Sequence, residues 1–362
     1  MVSIYNFSAG PSLLPREVME QVQAEFLDWH GTGLSVMEMS HRSAAYESII
    51  HGAEADLRKL LAIPEEYAVL FMQGGGVGQF DAVPLNLRPE GKSADYVITG
   101  DWSKKAFNIA SGTGRAHMAL SNASSHYFDL PKSAEGNFNR DAAYLHFCSN
   151  ETISGVEFPD LPDLPTDVPW IADMSSNILS RPISIARYGL IYASAQKNIG
   201  PAGFSVVIVH RELLNKALPI TPAVLNYTIL AENGSMFNTP PTFAIYVSGL
   251  VFQWLLRQGG LVAIEQKNKE KAQLVYNALD ASALFKCPIA PAARSMMNIP
   301  FTSGNADIDA RFLSFVEPRK LVQLKGHKSV GGMRASLYNA MPIEGVHALT
   351  EALRDFEKSA DF

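Results

Sequence analysis

Six short runs constrain the fold of this chain more than anything else in it: YAVLFM (67–72), DYVITG (95–100), AYLHFCS (143–149), PWIA (169–172), LIYASA (190–195) and FSVVIVH (204–210). Several are apolar at consecutive positions, so both of their faces must be covered. A strand buried on both faces lies in a sheet with helices on either side, and the segments between the runs carry the helical period this requires. From Tyr46, apolar residues recur at Ile49, Ile50, Ala53, Leu57, Leu60 and Leu61, with Ser43 placed to cap the helix. The expectation is an α/β fold with a largely parallel central sheet.

At 362 residues the chain is long enough for two domains. After NTPPT a long helix is expected over FAIYVSGLVFQWLLRQ, then a break at Gly259 and Gly260, then a second helix through IEQKNKEKAQLVYNALD. Beyond the break SMMNIPF, LVQLKG and GGMRASLYN read as strands, and DIDARFLSF and IEGVHALTEALRDFEK as helices. The expected division is a large domain over 16–258 and a smaller α+β domain made of 1–15 and 259–362. Residues 1–15 have weak periodicity of their own.

Charge and cysteine usage exclude several function classes. The net charge is −6, from 36 acidic residues against 30 Lys and Arg, which leaves no global footprint for nucleic acid or an anionic membrane. An anionic ligand therefore needs a local cluster. Cys148 and Cys287 lack any CxxC spacing, so neither a disulfide framework nor a zinc site is expected, and no other metal site is. The opening MVSIYNFSAGPSLLP has no basic segment leading into an apolar one, and no run approaches the ~20 apolar residues of a membrane span. The reading is cytoplasmic.

The polar residues fall where a ligand would use them. QGGGVG follows the first strand, Asp101 and Trp102 the second, Asn150 and Thr152 the third, Asp173 the fourth, and Gln196 and Lys197 the fifth. In open parallel sheets the ligand crevice lies beyond the carboxyl ends of the strands, so five segments deliver functional groups to one rim. Singly each has a plainer explanation: a helix cap for Asp173, core packing for Trp102, a turn for Thr152, solvation for Lys197. The glycine loop QGGGVGQF lacks the GK[ST] of a Walker A motif and the spacing of GxGxxG, which weakens a nucleotide reading and favours a single phosphate. One phosphate, a lysine, an aspartate and a flat stacking partner suggest pyridoxal 5′-phosphate (PLP). A primary amine condenses with its aldehyde, and a carboxylate keeps its ring nitrogen protonated.

Longer motifs point the same way. NFSAGP, ADMSSNILSRPI, AQKNIGPAG, FNTPPTFAIY and LKGHKSVGGMRASLYNAMPIEGV closely resemble, in order, those of the phosphoserine aminotransferases, homodimeric PLP enzymes of fold type I. The resemblance implies that Lys197 carries PLP, that Asp173 meets the ring nitrogen and that Trp102 stacks. Thr152 and Gln196 would contact the ring oxygen and phosphate region, and Gly76 and Val77 would offer backbone amides to the phosphate. Asn238 and Thr239 would reach the phosphate of the partner subunit. A Thr cap followed by proline at the start of a helix explains those two residues equally well. Arg334 would hold the substrate α-carboxylate as a planar fork. His41, Arg42, His327 and Lys328 would hold the substrate phosphate or glutamate side chain, the first two shared across the dimer, with Ala9 nearby. Some relatives carry arginine at the place of Val77 or of Lys328.

The activity implied is exchange of an amino group between glutamate and 3-phosphohydroxypyruvate, giving 2-oxoglutarate and O-phosphoserine in serine biosynthesis. Formation of 4-phosphohydroxythreonine for pyridoxine biosynthesis is a further implication. Rivals on the same fold are an alanine–glyoxylate-type aminotransferase and a cysteine desulfurase. The latter needs a cysteine on a mobile loop, which neither Cys148, in a strand, nor Cys287 supplies.

Overall fold

The structure is a computed structural model and describes residues 4–160, 164 and 167–359. Residues 1–3 and 360–362, at the ends of the expected small domain, lie outside the described residues. The first half of the chain runs β1 (Tyr5–Asn6), α1 (Arg16–Glu25), α2 (Ala44–Leu61), β2 (Tyr67–Met72), α3 (Gly75–Leu87), β3 (Ala94–Ile98), α4 (Asp101–Gly112), β4 (Ala116–Ser121), β5 (Leu145–Cys148) and β6 (Trp170–Asp173). It continues with β7 (Leu190–Ser194), β8 (Ser205–His210), α5 (Tyr227–Glu232), α6 (Thr242–Arg257), α7 (Gly260–Ala281), β9 (Asn298–Phe301), α8 (Ala306–Val316), β10 (Leu321–Val322), β11 (Met333–Ser336) and α9 (Ile343–Ser359).

The central sheet has seven strands in the order β2-β8-β7-β6-β5-β3-β4. Its two-sided apolar strands are explained by the layers around them. Val69 and Phe71 of β2 and Val206 and Ile208 of β8 face a core closed by α2 and α6. Their neighbours Ala68, Leu70, Met72, Val207 and Val209 face the opposite core with α3, α4 and α5, as the two-residue period of a strand demands. Ser43 caps α2 as expected, its hydroxyl accepting the N–H of Tyr46 at 3.3 Å. No single helix among the described residues is long and apolar enough to cross a membrane, and α6, the most apolar, is buried along most of its length.

Within the central sheet all strands are parallel except β8, which runs antiparallel to both neighbours. Only residues 195–204 connect β7 to β8, with no helix among them, and a parallel return needs a longer crossover. Because β2 is antiparallel to β8, it points the same way as β7, and the ends of β2, β3, β5, β6 and β7 share one rim. The expected strands shorten at their ends, AYLHFCS to Leu145–Cys148 and GGMRASLYN to Met333–Ser336. Strand β4, with Met118 half exposed, was not expected. It sits at the sheet edge, is not covered on both faces, and so has no continuous apolar run.

A second core gathers residues of α7, α8, α9, β9, β10 and β11, with Phe7 from the N-terminal segment. Phe285 and Phe312 lie 4.8 Å apart at its centre, and Phe312 and Phe356 5.3 Å apart. Tyr5 and Asn6 pair with Leu321 and Val322, which adds β1 to β10. Helix α7 serves both cores: Leu261 and Ile264 belong to the first, and Ala272, Val275 and Leu279 to the second.

Candidate active site

The shared rim closes around a cavity of about 80 Å³ lined by Gly76, Val77, Phe80, Trp102, Cys148, Asn150, Thr152, Asp173, Ser175, Ser176, Ser194, Gln196 and Lys197. On this measure one water needs roughly 10–15 Å³, so the space holds a group of several atoms. Eight residues singled out in the sequence meet here: Gly76, Val77, Trp102, Asn150, Thr152, Asp173, Gln196 and Lys197.

Lys197 lies just past β7, in the turn that reverses the chain into β8. Its side chain is buried, and Nζ donates to Thr152 Oγ1 at 2.6 Å, beneath the Trp102 ring at 5.9 Å from its centroid. Burial lowers its pKa, Arg334 adds to that, and Asp173, Cys148 and Glu151 oppose it. Asp173 ends β6, the strand paired with β7, where it stands opposite Tyr192. Its Oδ1 accepts the N–H of Ser175 at 2.8 Å. Burial raises the Asp173 pKa, while Ser175, Lys197 and Tyr192 pull it down. The backbone of the lysine is held from the N-terminal segment: Ser12 Oγ donates to the Lys197 carbonyl at 2.6 Å and Ser12 N–H to the Gln196 carbonyl at 3.0 Å.

On the other side of the cavity α3 begins at Gly75, and its first amides lack helical partners. Gly76 N–H donates to Ser194 Oγ at 3.1 Å, and that hydroxyl donates to Gln196 Oε1 at 2.7 Å. A Cβ on Gly76 would come within 3.3 Å of Ser175 Oγ, so the glycine keeps a cradle open there. A helix start lined by hydroxyls suits a phosphate. With a buried amine, a buried carboxylate and an indole around the same space, the donor set fits PLP.

Arg334, on β11, reaches in from the second core. Its Nη1 donates to the Thr152 carbonyl at 3.2 Å, and its Nε is buried without a partner. A buried guanidinium with unused donors suits a carboxylate ligand. Nearby, Tyr338 OH donates to the Ala9 carbonyl at 2.8 Å, which fixes the segment on which Ala9 is half-buried.

The remaining residues are not brought to the cavity within one chain. His41 is half-buried and Arg42 exposed, ahead of α2. Asn238 and Thr239 are exposed, and Gln73 Nε2 donates to the Thr239 carbonyl at 2.9 Å. Thr239 does not cap the following helix, because α6 starts at Thr242 with Pro241 in the cap position. His327 and Lys328 lie on a loop tied to α4: His327 Nδ1 meets Ser329 Oγ at 2.8 Å, and Ser329 Oγ donates to Asp101 Oδ2 at 3.3 Å.

Sequence reasoning missed Glu151, Ser175 and Ser194. Glu151 is fully buried. Burial pushes its pKa up to about 7, against hydrogen bonds from the Ser103 hydroxyl and from the N–H groups of Ser103 and Trp102. It stands between Asn150 and Thr152 with no period to mark it. Its partners lie far back in the chain, so only tertiary contact reveals it.

Residues 4–349 match the family model described as aminotransferase class-V. The phosphoserine aminotransferase of Nitrosomonas europaea is 52% identical, covering 99% of this chain and 100% of its own length. The solved phosphoserine aminotransferase from Bacillus circulans subsp. alkalophilus is 46% identical with a TM-score of 0.96 and covers 99% of each chain. The PLP-bound phosphoserine aminotransferase from Trichomonas vaginalis is 44% identical with a TM-score of 0.94, covering 97% of this chain and 100% of that one. The strand-end lysine, the fold around it and these full-length similarities agree: the chain belongs to the class-V aminotransferase family, among the phosphoserine aminotransferases.

Proposed function

We propose that this chain, with PLP at Lys197, transfers the amino group of glutamate to 3-phosphohydroxypyruvate, releasing 2-oxoglutarate and O-phosphoserine. The observation that carries the reading is Lys197 Nζ, buried beneath Trp102 with Thr152 as its neutral hydrogen-bond partner and Asp173 on the adjacent strand end. PLP, when bound, supplies an aldehyde for amines and a ring that accepts the electrons of the substrate Cα–H bond.

The chain's own residues do the rest. Lys197 Nζ, its pKa lowered by burial, would take the proton from substrate Cα and carry it across the substrate nitrogen, two bonds away. Asp173 holds a proton on the ring nitrogen, and its own burial strengthens that pairing. Trp102 covers one ring face, Thr152 and Gln196 meet polar edges of the cofactor, and the α3 amides at Gly76 and Val77 hold its phosphate. Arg334 binds the α-carboxylate that both substrates share. His327 and Lys328, with His41 and Arg42 of the partner subunit, take the substrate phosphate or the glutamate side chain. Asn238 and Thr239, exposed in the single chain, serve the partner's phosphate site in the same exchange, so the working unit is a homodimer.

The test is an assay with PLP and glutamate, comparing 3-phosphohydroxypyruvate, pyruvate and glyoxylate as amino acceptors by release of 2-oxoglutarate. The phosphorylated acceptor should be used far faster, and Lys197→Ala should abolish release. Turnover with pyruvate or glyoxylate but not with 3-phosphohydroxypyruvate overturns the reading.

A further inference from the structure

Helix α4 carries Trp102 in its first turn, yet the residue before it cannot cap it. The first amides of a helix have no partners inside it, and a short polar side chain just ahead usually supplies one. Here that position is Gly100. The cap comes instead from Glu151, beyond the end of β5, the strand paired with β3. Glu151 Oε2 accepts the Trp102 N–H at 3.0 Å. Oε1 accepts the Ser103 N–H at 2.9 Å and the Ser103 hydroxyl at 2.6 Å. That hydroxyl accepts the N–H groups of Thr99 at 2.8 Å and Gly100 at 3.1 Å. Its single proton has the carboxylate at 2.6 Å as its nearer acceptor, with the Gly100 carbonyl farther off at 3.2 Å. A side chain at position 100 is incompatible with this arrangement, since its Cβ would stand 2.6 Å from Glu151 Cδ.

The consequence reaches the cofactor site. Glu151 fixes the backbone from which the indole projects, and the next residue, Thr152, accepts from Lys197 Nζ. One dipeptide therefore sets both the stacking face and the amine. We propose that Glu151 is a positioning residue that holds Trp102 over the PLP ring, with Ser103 as its relay. The proposal rests on the PLP-site reading above and goes beyond it in assigning a task to a carboxylate that need touch neither cofactor nor substrate. A charge-assisted bond to a helix N-terminus is strong and directional, which suits such a task.

The experiment titrates the cofactor-free protein with PLP, reading absorbance for affinity and visible circular dichroism for ring orientation. It uses the wild type, Glu151→Gln, Trp102→Ala and the double variant. Glu151→Gln is expected to bind PLP roughly tenfold more weakly, the scale of one charge-assisted hydrogen bond, and to alter the dichroism of what binds. In the Trp102→Ala background the same change should cost nothing further. Equal losses with and without Trp102, or no loss, overturn the proposal, because a general effect on the fold adds in both backgrounds. Should Glu151→Gln fail to fold, Ser103→Ala, which keeps the carboxylate and both N–H bonds, carries the same comparison. Its expected loss is smaller and again vanishes without Trp102. A wild type that does not bind PLP overturns the site reading itself, and this inference with it.

Discussion

Lys197 and Arg334 are both buried cations, and burial lowers the pKa of each. The effect differs with the starting point. An amine can be brought toward the range where it exchanges protons, whereas a guanidinium stays charged and keeps its planar fork. Arg334→Lys should therefore raise KM for glutamate and for 3-phosphohydroxypyruvate together, roughly 10- to 100-fold for a lost charged hydrogen bond or two, with a smaller fall in kcat. Steady-state kinetics with each substrate checks this, and an unchanged KM for either would remove Arg334 from the shared carboxylate. Lys197, Asp173, Trp102 and Thr152 were legible in sequence because each follows an apolar run whose end marks the rim. Ser175, Ser194 and Glu151 were not, because the contacts that bring them to the site, Ser194 N–H to Ser175 Oγ, Gly76 N–H to Ser194 Oγ and the start of α4 to Glu151, join segments far apart in the chain.

At the scale of elements, α7 and the segment after β11 are tied together by a buried lysine. Lys271 Nζ donates to the carbonyls of Leu337, Tyr338 and Met341 at 3.3, 2.9 and 3.2 Å. Burial pushes its pKa down to about 7, with the Lys267 charge adding to the shift. Between that value and the ordinary one of 10.5, the unfolded chain binds a proton that the folded chain does not. The stability of the wild type relative to Lys271→Met should then rise with pH across this window, by at most about 1.4 kcal/mol per pH unit. Below it both states hold the proton and the difference should level off. Urea midpoints of both proteins at pH 6, 7.5 and 9 test the sign, and a gap that narrows with rising pH refutes it. The elements themselves were largely readable: α2 with its Ser43 cap, α6, and the buried strands. What escaped was β4, because an edge strand needs no continuous apolar run, and the reversal of β8, because strand direction depends on the length and packing of its connection.

For the whole molecule, a single chain gathers the residues proposed to hold PLP and leaves His41, Arg42, Asn238 and Thr239 away from its own cavity. If the partner's cavity is where they act, two inactive variants should rescue each other. Lys197→Ala and Arg42→Ala proteins, each inactive or nearly so alone, should regain activity when unfolded and refolded together, since each mixed dimer then has one intact site. Activity no greater than the sum of the two separate samples would place Arg42 outside the shared site. The sequence by itself determined the layered α/β fold and the rim of strand ends, because burial on two faces and helical period are written in neighbouring residues. It also pointed to the lysine, aspartate and tryptophan that meet at one cavity, through their place after those strands and through motifs resembling a known family. Only the tertiary structure decided that β1 pairs with β10, that β8 runs backward, and that Glu151 caps the helix bearing Trp102. Those outcomes depend on hydrogen bonds and close contacts between residues far apart in the chain, and no local spacing records them.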